Sequence, residues 1–320
     1  SAQYITHGPV TGGVTHQYAK VYVRTGFDQS FIMEWDDEAT FNAPSSVTIS
    51  MDPAKDSTVI TELNGLQPNT YYYIRFKFNG NTDIRQGRFK TFPLPGSPAN
   101  FTLVTGSCQE TANMKVFDRM KELDPLMMLH TGDYTYPSYQ LDNTYPAVYE
   151  TVQTSWRKRY EEDRMVEMLY TVPIDYVHDD DDGFGVALNY WNKPLYYLNA
   201  NNEVVNYFDI DTLPMQGKYN HMRAYTEYFP HYPLVDTSQG LFHKVTVGNA
   251  DIFFLDTRSA ARPNHEAFQY NATTNVWTFN PDTSYTILGQ VQKNWLKQEL
   301  LASTAQWKFL VCGLPFNKRL

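Results

Sequence analysis

A chain of 320 residues with 42% apolar and 15% aromatic side chains can bury a sizeable core, which excludes a disordered tail or linker. A formal charge of -9 excludes nucleic acid as the main partner, because phosphate backbones are held by Lys and Arg; a small phosphorylated ligand stays open, since one arginine or a metal ion reverses the sign locally. No apolar run approaches a membrane span, no charged-then-apolar segment marks a signal peptide, and Cys108 and Cys312 alone cannot make a disulfide-stapled scaffold.

The first ninety residues read as short strands between turns: "AKVYVRTG", "SFIMEWDDE", "SSVTISMDP", "STVITELNGL", "YYYIRFKFNG" and "GRFKTFP". In the fifth, Tyr72, Ile74, Phe76 and Phe78 alternate with Tyr73, Arg75 and Lys77, the period of a half-buried strand. Spacing of this kind predicts an antiparallel sandwich over residues 1–93. Within "GLQPNTYYYI", Leu66, Pro68, Thr70 and Tyr72 stand at the spacing of a tyrosine corner, so the segment resembles a fibronectin type III-like domain. "TFPLPGSPAN", residues 91–100, holds three prolines and a glycine, stops strand and helix alike, and is expected to be the domain boundary.

After it the pattern turns α/β. "FTLVTGSC" is a strand ending in Gly-Ser-Cys, "NMKVFDRMKEL" sets Val116, Phe117, Met120 and Leu123 on one helical face, and "DPLMMLHTGDYTY" is the next strand, making a βαβ unit. "QTSWRKRYEEDRMVEMLY" and "LGQVQKNWLKQELLAS" read as helices, "PIDYVHDDDD" and "ADIFFLDTRS" as strands ending in charge, and "WKFLVCGLPF" as another buried strand. Ligands of open α/β sheets sit at the carboxyl ends of strands, where Cys108, Asp133, Tyr136 and the run Asp179–Asp182 all fall.

So many acids in one crevice repel each other, and a cation relieves this. Thiolate, phenolate and carboxylate together suit a highly charged transition metal, and extra carboxylates a hard divalent ion. Each piece also has a plainer reading. A cysteine at a strand end is commonly a small buried hydrophobe, four aspartates a solvated loop, and Arg258 the partner of Asp256 or another carboxylate. Sequons at Asn100-Phe101-Thr102 and Asn271-Ala272-Thr273 permit glycosylation, the first being read as an accidental match at the start of a strand.

The order of "GSCQE", "HTGDYTY", "VHDDDDGFG", "MRAYTEYFPHYPL", "FLDTRS", "LGQVQKNWLKQEL" and "WKFLVCGLPF" behind a fibronectin-like start resembles the PhoD-like alkaline phosphatases/phosphodiesterases of the metallophosphatase superfamily, across nearly the whole chain. The resemblance implies two sheets flanked by helices, iron with calcium as cofactors, and a secreted or surface-exposed hydrolase of phosphate mono- or diesters. It maps metal ligation onto Cys108, Asp133 and Tyr136; beside these, Asp180 is expected as a further metal ligand, and Arg258 and Asp181 as the catalytic candidates, Arg258 to neutralise charge developing on phosphorus. The chain departs from the family twice. Asp181 stands where the third motif, Asp-Asp-His-Asp or Asp-Asp-His-Glu, has its catalytic histidine, with Gly183 added before the aromatic. The downstream Gly-Asp-x-His motif is absent from these residues, so the molecule is expected to continue past Leu320. Both departures support the alternative, a non-catalytic extracellular binding or structural protein on the same fold, though the hydrolase remains the preferred reading. Two geometric expectations complete the reading: Cys108 and Cys312 stay unbridged, and Arg258 faces the crevice of Asp133.

Overall fold

The computed structural model describes residues 4–26, 29–109, 111, 113–136, 149–161, 163–179, 182, 196–198, 204–206, 213–260, 268–271, 273–279 and 286–314. The amino-terminal strands are β1 (Ile5–Gly12), β2 (Tyr18–Thr25), β3 (Phe31–Asp36), β4 (Ser45–Ile49), β5 (Thr58–Asn64), β6 (Tyr71–Phe78), β7 (Asn81–Thr82) and β8 (Gly87–Lys90). They form two antiparallel sheets, β1-β2-β5 and β4-β3-β6-β7, with β8 also on β6. Alternation fixes the inner faces: Val21, Val23 and Leu63 of one sheet meet Met33, Ile74, Phe76 and Phe78 of the other. The Tyr72 hydroxyl accepts from the backbone N–H of Gln67 at 2.9 Å, tying the turn before β6 as the predicted corner requires.

Residues 91–102 carry neither helix nor strand, as the prolines dictate. Next in the chain come β9 (Leu103–Gly106), α1 (Val116–Glu122), β10 (Met127–His130), α2 (Tyr149–Arg159), α3 (Asp163–Leu169) and β11 (Ile174–Tyr176). Strands β9, β10 and β11 make one parallel sheet with β10 central. β12 (Tyr196–Leu198) and β13 (Val204–Asn206) pair with each other, and α4 (Leu213–Tyr228) leads to β14 (His243–Val247) and β15 (Ala250–Leu255). β16 (Phe268–Asn271) and β17 (Val276–Phe279) form a ribbon, before α5 (Gly289–Ala302) and β18 (Trp307–Cys312). The second sheet is β14-β15-β18, antiparallel then parallel.

The buried run of β10 works in two directions, as a strand covered on both faces must. Met127 and Leu129 enter the layer between the sheets with Val245, Ile252, Phe254 and Val311. Met128 points the other way, toward Phe117 of α1, Trp156 of α2, Met165 of α3 and Tyr225 of α4. Across the inter-sheet layer His243 Nε2 meets Asp175 Oδ2 at 2.7 Å, both buried. Burial alone would lower the His243 pKa, but the charge and hydrogen bond of Asp175 hold it above its ordinary value.

Two expectations are corrected. The last strand is an edge among the described residues, not a buried strand: β18 pairs there with β15 alone, and Trp307, Phe309 and Leu310 are exposed. On α1 only Phe117 is fully buried, while Val116 and Leu123 are exposed, because a seven-residue helix turns too few times to bury a whole stripe. The amino-terminal strands pair only with each other among the described residues, yet the sandwich shares its packing with the α/β part of the chain. Leu126, Met127 and Tyr232 join the sandwich cluster, and Val10 and Tyr22 join the helical one. At this seam the glycine of position 12 is required, since a Cβ there would lie 2.5 Å from the Pro230 carbonyl oxygen and 2.9 Å from that of Ile174. Tyr232 donates its hydroxyl to the Val14 carbonyl at 2.6 Å.

Candidate active site

Five strands deliver the site. Parallel pairing sets Gly106 opposite His130 and His130 opposite Tyr176, so the residues just past β9, β10 and β11 emerge side by side. Leu255 and Cys312 likewise end β15 and β18 together. Both Cys108 and Asp133 adopt left-handed backbone, with φ of 54° and 55°, a conformation costly for residues with a Cβ and frequent at functional turns. The Cys108 amide donates to the Gly132 carbonyl at 3.1 Å, locking the two turns together. Its thiol donates to Asp133 Oδ2 at 3.3 Å. Desolvation, with the Asp133 and Asp179 carboxylates, pushes the Cys108 thiol above its ordinary range.

Asp179 is the point where the two sheets meet. Gly132 (φ 109°) lies so close that a Cβ on it would stand 2.5 Å from the Asp179 Cβ, and one on Gly313 would stand 2.8 Å from the Asp179 Cγ. Arg258 closes on the same carboxylate through Nε and Nη2. Arg258 thus stands in the crevice expected for it, its side chain on Asp179 and its amide on Asp256 Oδ1 at 2.9 Å.

Behind this front two buried carboxylates organise the loops. Asp182, wholly buried, accepts the amides of Asp133 (2.8 Å), Tyr134 (2.7 Å), Thr135 (2.7 Å) and Asp179 (2.8 Å). Burial pushes its carboxyl up to about 7 against the pull of the Asp179 and Thr135 amides. Asp256 accepts Leu241 N at 2.8 Å and Ser259 N at 2.7 Å, and meets His178 Nε2 at 2.8 Å. Burial would raise the Asp256 pKa, but the charge and hydrogen bond of His178 carry it well below the usual carboxylate range. An ionised carboxylate only accepts, so His178 Nε2 carries the hydrogen. Sequence reasoning names Asp182 and Asp256 but misses that they anchor loops by accepting backbone amides. Asp182 is one of four like letters, and His178 stands out only as the nearest histidine to a run that lacks one.

Tyr136 is buried next to the same loop, its ring 5.8 Å from the Arg159 guanidinium. Asp180 and Asp181 lie outside the described residues, whereas their neighbours Asp179 and Asp182 are buried and bonded rather than solvated. Both cysteines are free thiols. Among the described residues no three side chains of His, Cys, Asp and Glu converge as a metal-binding cluster. The pair of Cys108 Sγ and Asp133 Oδ2 has the spacing of neighbouring corners in a coordination shell, and the raised thiol needs a cation to become a ligand. The donor pair of Cys108 and Asp133 therefore fits a metal.

The sequence profile of the PhoD-like phosphatases matches residues 101–320. The chain belongs to the PhoD-like phosphatase family. Among relatives, the alkaline phosphatase D of Bacillus subtilis (strain 168) is 29% identical over 289 residues, 83% of this chain and 46% of that protein. The solved structure of PhoD superposes with a TM-score of 0.74 at 21% identity, covering 97% of this chain and 62% of that one, which shows a shared fold. The chain thus spans about half the length of its curated relative. No helix among the described residues is long and apolar enough to cross a membrane.

Proposed function

We propose that this PhoD-like protein hydrolyses phosphate mono- or diesters with a metal held by Cys108, Asp133, Tyr136 and Asp180, iron at the thiolate and phenolate and calcium among the carboxylates. The observation that carries the reading is the meeting of Cys108, Asp133, Asp179 and Arg258 at the carboxyl ends of two sheets. Bound there, a metal would polarise the phosphoryl oxygen and lower the pKa of an attacking water. Arg258 neutralises charge developing on phosphorus; a guanidinium has five donors in a plane, so it can rest on Asp179 and still meet a phosphoryl oxygen. Asp182 keeps the Asp133–Thr135 backbone from moving as charge builds, and the His178–Asp256 pair does the same for Arg258.

A second reading, a binding protein that has kept the fold, is favoured by one observation, Asp181 where a histidine proton donor would stand. Elemental analysis of the full-length protein purified without chelator, followed by assays on a chromogenic phosphomonoester and a phosphodiester, separates the two. Metal with turnover is the expected result. Metal without turnover selects the second reading, and a folded metal-free protein overturns both metal assignments.

A further inference from the structure

Asp56 belongs to the sandwich but its partners do not all do so. It sits in left-handed backbone (φ 56°) just before β5, its side chain 16% exposed. Oδ1 accepts Arg24 Nη2 at 2.9 Å, while Oδ2 accepts Arg24 Nε at 3.2 Å, Arg157 Nη1 of α2 at 2.8 Å and the Tyr228 hydroxyl of α4 at 2.7 Å. Tyr228 also accepts Gln153 Nε2 of α2 at 3.1 Å. Burial would raise the Asp56 pKa, but hydrogen bonds from Arg24, Tyr228 and Arg157 bring it to about 2, so the hub stays ionised. A second sandwich side chain makes the same connection by packing: the Tyr22 ring lies 5.0 Å from Tyr160 and 6.2 Å from Tyr228. Tyr160 donates its hydroxyl to the Tyr228 carbonyl at 3.0 Å.

The end of α2 that these contacts fix is the part touching the candidate metal loop. Trp156 lies 5.6 Å from the Tyr134 ring and Tyr160 lies 6.4 Å from it. Arg159, two residues beyond Arg157, places its guanidinium 5.7 Å from the Tyr134 ring and 5.8 Å from the Tyr136 ring. It is buried, and its Nε and Nη1 have no hydrogen-bond partner among the described residues. Aromatic faces attract a cation without fixing its direction, so the position of Arg159 is inherited from the helix that carries it.

We propose that Asp56 of the sandwich is a positioning residue for the Asp133–Tyr136 loop, acting through Arg157 and the last turn of α2; the proposal rests on reading that loop as the metal-holding part of a hydrolase site. A plain structural ion pair would stabilise the whole molecule evenly. A positioning residue controls one loop more than the rest.

Hydrogen exchange at the amides of Asp133, Tyr134 and Thr135, which donate to Asp182, distinguishes these and needs neither metal nor turnover. The full-length protein is compared with D56A, with the milder Y228F, and with E34A, which breaks the Arg75 and Lys77 pairs inside the sandwich. Measurements are made in denaturant adjusted to equal global stability. D56A is expected to exchange about tenfold faster at the three amides and Y228F several-fold faster, with E34A unchanged. Exchange in D56A and Y228F that tracks global stability as in E34A overturns the proposal; should D56A not fold, Y228F decides alone. Turnover of a chromogenic phosphomonoester is read in parallel. An inactive parent with the expected exchange pattern removes the hydrolase reading and leaves the positioning role standing, while an active parent with even exchange does the reverse.

Discussion

Lowering the pH below about 6.5 should destabilise this protein through two buried histidines, partly offset by one buried carboxyl, Asp182. His130 and His221 are fully buried, and burial depresses each to about 3 from the ordinary 6.5. Neither ring nitrogen of His130 has a hydrogen-bond partner among the described residues, and His221 Nε2 meets the Tyr176 hydroxyl at 3.0 Å. The unfolded chain binds protons at these sites near pH 6.5 and the folded chain does not, so stability falls as pH drops through that value. Two such protons give a slope of about 3 kcal/mol per pH unit; Asp182, pushed up to about 7, binds a proton in the folded chain but not in the unfolded one over this range and opposes them by about 1.4 kcal/mol per pH unit, leaving about 2 kcal/mol lost between pH 6.5 and 4.5. His7 and His231, lowered chiefly by burial, push the same way. Asp56 and Asp256 lose their contribution only as pH falls through their lowered values, below this window. Urea unfolding between pH 7 and 4.5 measures the slope, and His130→Leu, similar in volume and unable to titrate, should lower it by about 1.4 kcal/mol per pH unit. The same slope in that variant, or a His130 resonance titrating near 6.5 in the folded protein, would refute the reasoning.

Arg258→Ala should lower kcat/KM for phosphate esters by at least about tenfold, beyond any loss of folded protein; equal turnover with a lowered melting temperature would assign its Asp179 pair to stability alone. Gly313→Ala should cost about 1–3 kcal/mol in urea unfolding, because its Cβ would stand 2.8 Å from the Asp179 Cγ. Asp175→Asn should destabilise by about 3 kcal/mol near pH 6, measured the same way, and by less at pH 9. The sign comes from the raised pKa of His243, whose stabilisation is full below its unfolded value and is lost as pH rises through the folded one. Thiol titration of the denatured, unreduced protein should count both Cys108 and Cys312.

The fold was legible wherever local pattern and burial agree. Alternation announced β6, and an apolar run ending in charge announced β10 and β15, because a strand buried on both faces takes mostly apolar side chains until it ends. The same reasoning failed for β18, whose composition matches that of β15 although, among the described residues, it pairs on one side only; neighbours, not letters, decide whether a strand is central. At the site, Cys108, Asp133 and Arg258 stood out because strand ends project side chains into the crevice. Asp182 stood out only as one of the run Asp179–Asp182 and Asp256 only as a partner for Arg258, since an aspartate that ties loops by accepting amides is spelled like one that faces water. Asp56 was less legible still: its partners Arg157 and Tyr228 lie 101 and 172 residues away in sequence.

That separation sets an order of events when the chain is made. The sandwich strands end by Lys90, but Tyr22 and Val10, which pack among Trp156, Tyr160, Tyr228 and Phe229, have no cover until the chain reaches α4 and Pro230. At about 5–20 residues per second, synthesis leaves that aromatic face open for roughly 10–30 seconds. For that time the nascent chain carries a finished sheet with an uncovered side, which a chaperone can hold or a second nascent chain can capture.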